Sequence, residues 1–262
     1  MSKTTTGMMK NQKDNLVAQK ISRLKELVLL FWVDEDHKGA NMISEACQTR
    51  MKNIKQAPWY DENIHKVHCP PIQAFHEIKT IVSSWIDKYG GKDKVKVREV
   101  GVFSHSGMDG PISYCTENTP PAANWPIQMA IPGGWNAIDF NWKEKDSICV
   151  FYGCNSGREE KEGFAPRISA QKNFQNVTVW GQSVSSFPSF EPDIRVTTPA
   201  RAMDTGWNIG PTYMVGGSQG EGYEAIFGPP PKAKSMNRFM NGAKVGSDTQ
   251  GVFNNHNSKN VD

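Results

Sequence analysis

Two short apolar runs in this chain each hand a reactive side chain to a turn. Val100-Gly-Val-Phe-Ser-His105-Ser-Gly107 leads to an imidazole, and Cys149-Val-Phe-Tyr-Gly-Cys154-Asn-Ser-Gly157 leads to a thiol. Thiolate is the nucleophilic form of cysteine, and an imidazole held nearby generates it by accepting the proton. Gly153 allows a tight turn at the sulfur, and glycine turns such as Ser106-Gly107 offer backbone N–H groups to the oxyanion of a tetrahedral intermediate. The two residues lie 49 positions apart, which is room for a crossover between neighbouring parallel strands. This pattern predicts a Cys154/His105 dyad at a shared rim of a sheet.

The elements that must carry the dyad follow from hydrophobic period. Residues 27–33 read as a buried strand that ends at Asp34-Glu-Asp36, and residues 42–54 as a helix. Residues 63–69 form a weak strand stopped by Pro70-Pro71. Residues 72–89 give the clearest helical spacing, with Phe75, Ile78, Ile81, Val82, Trp85 and Ile86 on one side and Gly90-Gly91 as the stop. Strands follow at 95–104, 148–153 and 177–180, with a helix at 163–171 limited by Pro166. Residues 108–132 read as a long loop, and long loops in compact domains are usually functional. Residues 212–215 and 223–227 suggest an edge hairpin. The alternation predicts an α/β fold with a mostly parallel sheet and helices on both faces, whose ligands bind beyond the carboxyl ends of the strands. The expected organisation is a polar and helical extension over 1–26, the α/β domain over 27–228, and a basic, loose tail over 229–262.

Composition narrows the function classes. Hydrophobic residues at 37% and aromatics at 10% suffice for a packed core. A net charge of +3 from 30 basic and 27 acidic residues gives no basic footprint for nucleic acid. No apolar run reaches the length of a membrane span. Residues 1–20 are polar and lack the apolar stretch of a secretory signal, which predicts a cytoplasmic chain or one delivered by a signal-peptide-independent system. The five cysteines are odd in number and irregularly spaced, which argues against a disulfide framework and favours a reducing compartment. No C-x-x-C pair suggests a zinc site, and the dyad requires neither metal nor organic cofactor.

The two strand ends resemble the caspase-like cysteine peptidase clan, which includes caspases, gingipains, separases, legumains and the self-processing domains of large bacterial toxins. The clan pattern is an apolar strand ending in His-Gly and, about 50 residues later, an apolar strand ending in Ala-Cys or Gly-Cys. The matching residues are Val102-Phe-Ser-His105 and Val150-Phe-Tyr-Gly-Cys154, continued by Gly163-Phe-Ala165 at a helix start and by Val177-Thr-Val-Trp-Gly181 as the next strand. The likeness spans residues 27–189 and departs from the pattern where Ser106 stands between His105 and Gly107. It implies a three-layer caspase-like sandwich and a cysteine endopeptidase acting on a protein or peptide, of a bacterial effector or toxin type. Cys154 would be the nucleophile, His105 the base, and the N–H groups of Gly107 and Cys154 the oxyanion donors. Residues 182–186, with Gln182 and Ser183, would line the pocket for the residue before the scissile bond.

Other constellations compete. Ser104-His-Ser106-Gly-Met108 has the outline of a serine hydrolase elbow but lacks both flanking glycines, and Gly216-Gly-Ser218-Gln-Gly220 has the glycines but no helix opening after it. A serine esterase or lipase using Ser106 or Ser218 is the alternative, as is a catalytically silent binding module on the same fold. His65, His68, Cys69 and His76 form a loose cluster whose strand spacing points its members to opposite sides, so no metal site is expected. The acidic run at 34–36 can bind a cation or hold a substrate amine, although such runs are more often solvated turns.

Overall fold

The computed structural model describes residues 24–35, 39–113, 128–160, 163–196, 211–218 and 229–254. Its centre is a mixed, mostly parallel eight-stranded sheet. The strands are β1 (Lys25–Val33), β2 (His65–His68), β3 (Pro71–Ile72), β4 (Val95–Phe103), β7 (Ile148–Phe151), β8 (Thr178–Gln182), β11 (Met236–Met240) and β12 (Ala243–Asp248). They run in the order β12-β11-β8-β7-β4-β1-β2, with β3 also paired to β1. All pairs from β2 to β8 are parallel, whereas β11 is antiparallel to β8 and β12 to β11. Two short antiparallel pairs stand beside the sheet: β5 (His105–Gly107) with β6 (Gly110–Ile112), and β9 (Ser186–Ser189) with β10 (Tyr213–Gly216).

Alternation along β1 sorts the core. Leu27, Leu29, Phe31 and Val33 face a cluster that takes in Ile78, Val82 and Ile86 of α2 (Glu77–Lys88) and Phe164 and Ile168 of α3 (Phe164–Ser169). Val28 and Leu30 face the opposite cluster, with Ile43, Ala46, Cys47 and Ile54 of α1 (Gly39–Gln56). The first crossover, β1-α1-β2, moves outward on one side of β1. The second returns through α2 to β4 on the other side. With helices on opposite faces and opposite directions of travel, the two crossovers share one hand, as the right-handed rule requires.

Several expectations change in detail. The helix expected from residue 72 begins at Glu77, because Pro71 and Ile72 pair with Trp32 and Val33. Glu77 then accepts the N–H groups of Gln73 and Ala74 at 2.9 and 2.7 Å and closes that turn. β10 pairs with β9, and residues 223–227, its expected hairpin partner, lie outside the described residues. The polar and helical extension expected over 1–26 lies outside them up to residue 23, and its last two residues belong to β1, which starts at Lys25. Residues 229–254 are not a loose tail: β11 joins the main sheet against β8, β12 extends it, and α4 (Gly251–Asn254) packs Phe253 onto the α1 side. Their polar composition hides this role because β12 is an exposed edge strand. Cys47 and Cys69 form a disulfide with Cα atoms 6.5 Å apart, and Cys149 and Cys154 carry free thiols.

Candidate active site

The carboxyl ends of β1, β4 and β7 share one rim. Because the chain leaves β1 first toward β2 and then toward β4, the gap between β1 and β4 is the topological switch point where such sheets place ligands. Glu35 lies just beyond β1, His105 just beyond β4 and Cys154 just beyond β7.

Local packing brings the two predicted residues' loops together. The rings of Phe103 and Tyr152 stack with centroids 3.9 Å apart and planes 9° from parallel. One ring stands two residues before His105, the other two before Cys154. The Tyr152 N–H also donates to the Val102 carbonyl at 3.0 Å, so the parallel pairing continues to the roots of both loops. The loops then touch. A Cβ on Gly153 would lie 2.5 Å from Ser106 Cβ, 2.6 Å from the Ser104 carbonyl oxygen and 3.2 Å from the His105 carbonyl carbon. Only glycine permits so close an approach.

Beyond the sulfur the chain reverses. Asn155 adopts φ 56°, in the left-handed region that asparagine tolerates. The reversed segment runs beside the chain leaving β8, with Asn155 N–H donating to Val184 O at 3.0 Å and Gly157 N–H to Gln182 O at 2.8 Å. The fully buried Ser156 hydroxyl donates toward the carbonyls of Phe151 and Gly153 at 3.0 and 2.8 Å and accepts the Gln182 N–H at 3.1 Å. The turn that presents Cys154 is thus held from both flanking strands.

His105 Nε2 lies 3.3 Å from Glu35 Oε1, with the Glu35 side chain fully buried and that of His105 46% exposed. This carboxylate raises the imidazole above its ordinary value of 6.5, against the opposing pull of partial burial. The arrangement fixes the ring and favours the imidazolium. Cys154 is half-buried, and its sulfur accepts the Ser186 N–H at 3.2 Å. The other free thiol among the described residues, Cys149, is sealed in the core, where burial pushes its ionisation well up.

Gly107 closes β5 opposite Gly110 of β6. Gln182, expected at the pocket wall, is instead fully buried and donates to Met214 O at 2.7 Å. Ser183 is half-buried, donates to Ser235 O at 2.6 Å, and lines an open groove of about 450 Å³ with Arg158, Glu159, Glu160 and Asn237. Ser106 donates to Gly107 O at 2.9 Å and sits in a hairpin, not at the start of a helix. Ser218 lies past β10, where its carbonyl accepts from Arg195. The histidine cluster disperses: His65 faces Glu26 at 3.5 Å, His68 bonds the Tyr89 hydroxyl at 3.0 Å, and Cys69 is bridged to Cys47. The sequence offers the acidic run at 34–36 as a cation or amine site, and the structure instead pairs Glu35 with His105. An acidic run at a strand end has the look of a solvated turn, yet Glu35 is only 4% exposed. Among the described residues no helix is long and apolar enough to cross a membrane. No family model and no curated protein matches the chain.

Proposed function

We propose that the chain is a cysteine endopeptidase of caspase-like type, with Cys154 as nucleophile, His105 as base and Glu35 as the residue that orients His105. The observation that carries this reading is the contact of Gly153 with the main chain around His105, at a rim where a buried carboxylate already engages the imidazole. With Nε2 facing Glu35, Nδ1 is the nitrogen that takes the thiol proton. The sulfur attacks a peptide carbonyl, and the N–H groups of Gly107 and Cys154 receive the oxyanion. The imidazolium returns the proton to the leaving amine, and water activated by the imidazole then hydrolyses the thioester. Protein or peptide is the substrate, and this chemistry calls on no metal or cofactor. Apolar clusters on the two faces of the sheet support the three-layer sandwich that the resemblance implies, and the resemblance itself suggests an effector or toxin role.

A peptide library sampled by mass spectrometry for new N-termini tests the reading. Cleavage by the parent and by Ser106→Ala, with none by Cys154→Ala, is the expected result. Cleavage that survives Cys154→Ala and fails in Ser106→Ala would make the chain a serine hydrolase instead, and no cleavage by any form would favour a binding module.

A further inference from the structure

We propose that Ser186 is the positioning residue of the nucleophile, cradling the Cys154 sulfur through its main chain and its hydroxyl so that the thiolate is favoured; this inference rests on Cys154 being the nucleophile. Three Ser186 atoms approach the sulfur: the N–H donor at 3.2 Å, the hydroxyl at 3.6 Å and the carbonyl oxygen at 3.7 Å. Ser186 is itself only 7% exposed, so these atoms are withheld from bulk water.

The pairing of β9 explains why the N–H is directed at the sulfur. Ser186 opens β9 opposite Gly216, and the adjacent ladder bond runs from Gly217 N–H to Ser185 O at 3.0 Å. The Gly216 carbonyl accepts Lys234 N–H at 2.9 Å. The Ser186 N–H is therefore not part of the β9–β10 ladder and points the other way, to Cys154. The rest of β9 is pinned, because Ser189 Oγ donates to Ile194 O at 2.6 Å and accepts Val196 N–H at 2.8 Å.

This geometry serves both protonation states of the sulfur. As a thiol, Cys154 donates its proton toward the Ser186 carbonyl. When that proton passes to the His105 imidazole, the S–H bonding pair stays on sulfur as the thiolate charge, and the Ser186 N–H and hydroxyl donate to it. Hydrogen bonds to a charged form favour that form. The same Ser186 atoms face the sulfur in both states, through the N–H at 3.2 Å and the hydroxyl at 3.6 Å.

The test is the pH profile of Cys154 alkylation by iodoacetamide on the full chain, with the modified residue located by peptide mapping. Ser186→Ala deletes the hydroxyl and keeps the N–H, whereas Ser186→Pro deletes both. Proline is tolerated at the first residue of a strand whose N–H does not serve the ladder. The midpoint should rise in Ser186→Ala and rise further in Ser186→Pro, by up to about one pH unit, and Ser186→Thr should restore the parent profile. A Ser186→Pro chain with the parent's melting temperature and the parent's midpoint overturns the proposal. If that variant fails to fold, Ser186→Ala decides, and a midpoint equal to the parent's overturns it. Alkylation requires no substrate, so the outcomes separate. A Ser186-dependent midpoint without peptide cleavage keeps the cradle and removes the peptidase, and cleavage without the midpoint shift does the reverse.

Discussion

A carboxylate facing an imidazole fixes the ring and favours its charged form, and Glu35 has the burial to make both effects felt. Glu35→Gln should therefore lower the His105 midpoint, read by NMR of the ring protons, and reduce peptide turnover about 10²-fold or more. An unchanged midpoint would mean that the pair is incidental. The stability linkage has a defined sign. His105 is raised above 6.5 in the folded chain, so its contribution is fully present below 6.5 and is lost as pH rises through the folded value. Gly153 gives a second residue-scale prediction. Gly153→Ala sets a methyl against Ser106 Cβ and the Ser104 carbonyl oxygen, which should cost about 1–3 kcal/mol in urea unfolding and slow Cys154 alkylation. Unchanged stability and reactivity would show that the loops separate freely. The strand-end positions of His105 and Cys154 were legible in the sequence because each follows an apolar run that stops at a turn. The role of Glu35 was not, because its partner His105 lies beyond a different strand, and nothing in Asp34-Glu-Asp36 records that neighbour.

At the scale of elements, the contact between β2 and α2 sets a pH response of its own. The His68 ring stacks on Trp85 with centroids 3.4 Å apart and bonds the Tyr89 hydroxyl at 3.0 Å. Burial lowers its pKa from 6.5 to about 4, and the charges of Lys88, Lys55 and Lys66 add to the effect. The folded chain therefore refuses a proton that the unfolded chain accepts. Stability supplied by this site is present above 6.5 and is lost as pH falls toward about 4. His68→Phe keeps an aromatic surface for Trp85 and removes the titration, so denaturation midpoints measured across that window should vary less with pH than in the parent. An equal slope would place the acid sensitivity elsewhere. The strands of the sheet centre were readable because β1, β4 and β7 are buried on both faces and appear as continuous apolar runs. The start of α2 was not, since β3 and the Glu77 cap interrupt a helical period that the sequence carries back to Ile72.

Across the whole molecule, one buried ion pair ties the first helix, the sheet centre and the last described segment together. Arg50 Nε and Nη2 bond the Glu99 carboxylate at 2.9 and 2.7 Å, with side chains 3% and 2% exposed, and Arg50 Nη1 donates to the Phe253 carbonyl. Arg50→Met leaves Glu99 buried without its cation and should cost about 3–5 kcal/mol in urea unfolding, of which the double variant Arg50→Met/Glu99→Leu recovers a part. Loss of less than about 1 kcal/mol in the single variant would contradict a buried pair. The α/β class was evident from alternating strand and helix signals. The antiparallel end of the sheet was not, because β11 finds β8 across a long stretch of chain and its residues carry no apolar run of their own. The function proposed for this fold stands on one covalent event, the acylation of Cys154 by a peptide carbonyl. Rapid acid quench of the full chain with a cleaved peptide, followed by intact mass and peptide mapping, reads that event directly. The predicted result is an acyl adduct on Cys154 that is absent in Cys154→Ala and strongly reduced in His105→Ala. An adduct on Ser106, or peptide hydrolysis that continues in Cys154→Ala, would contradict it.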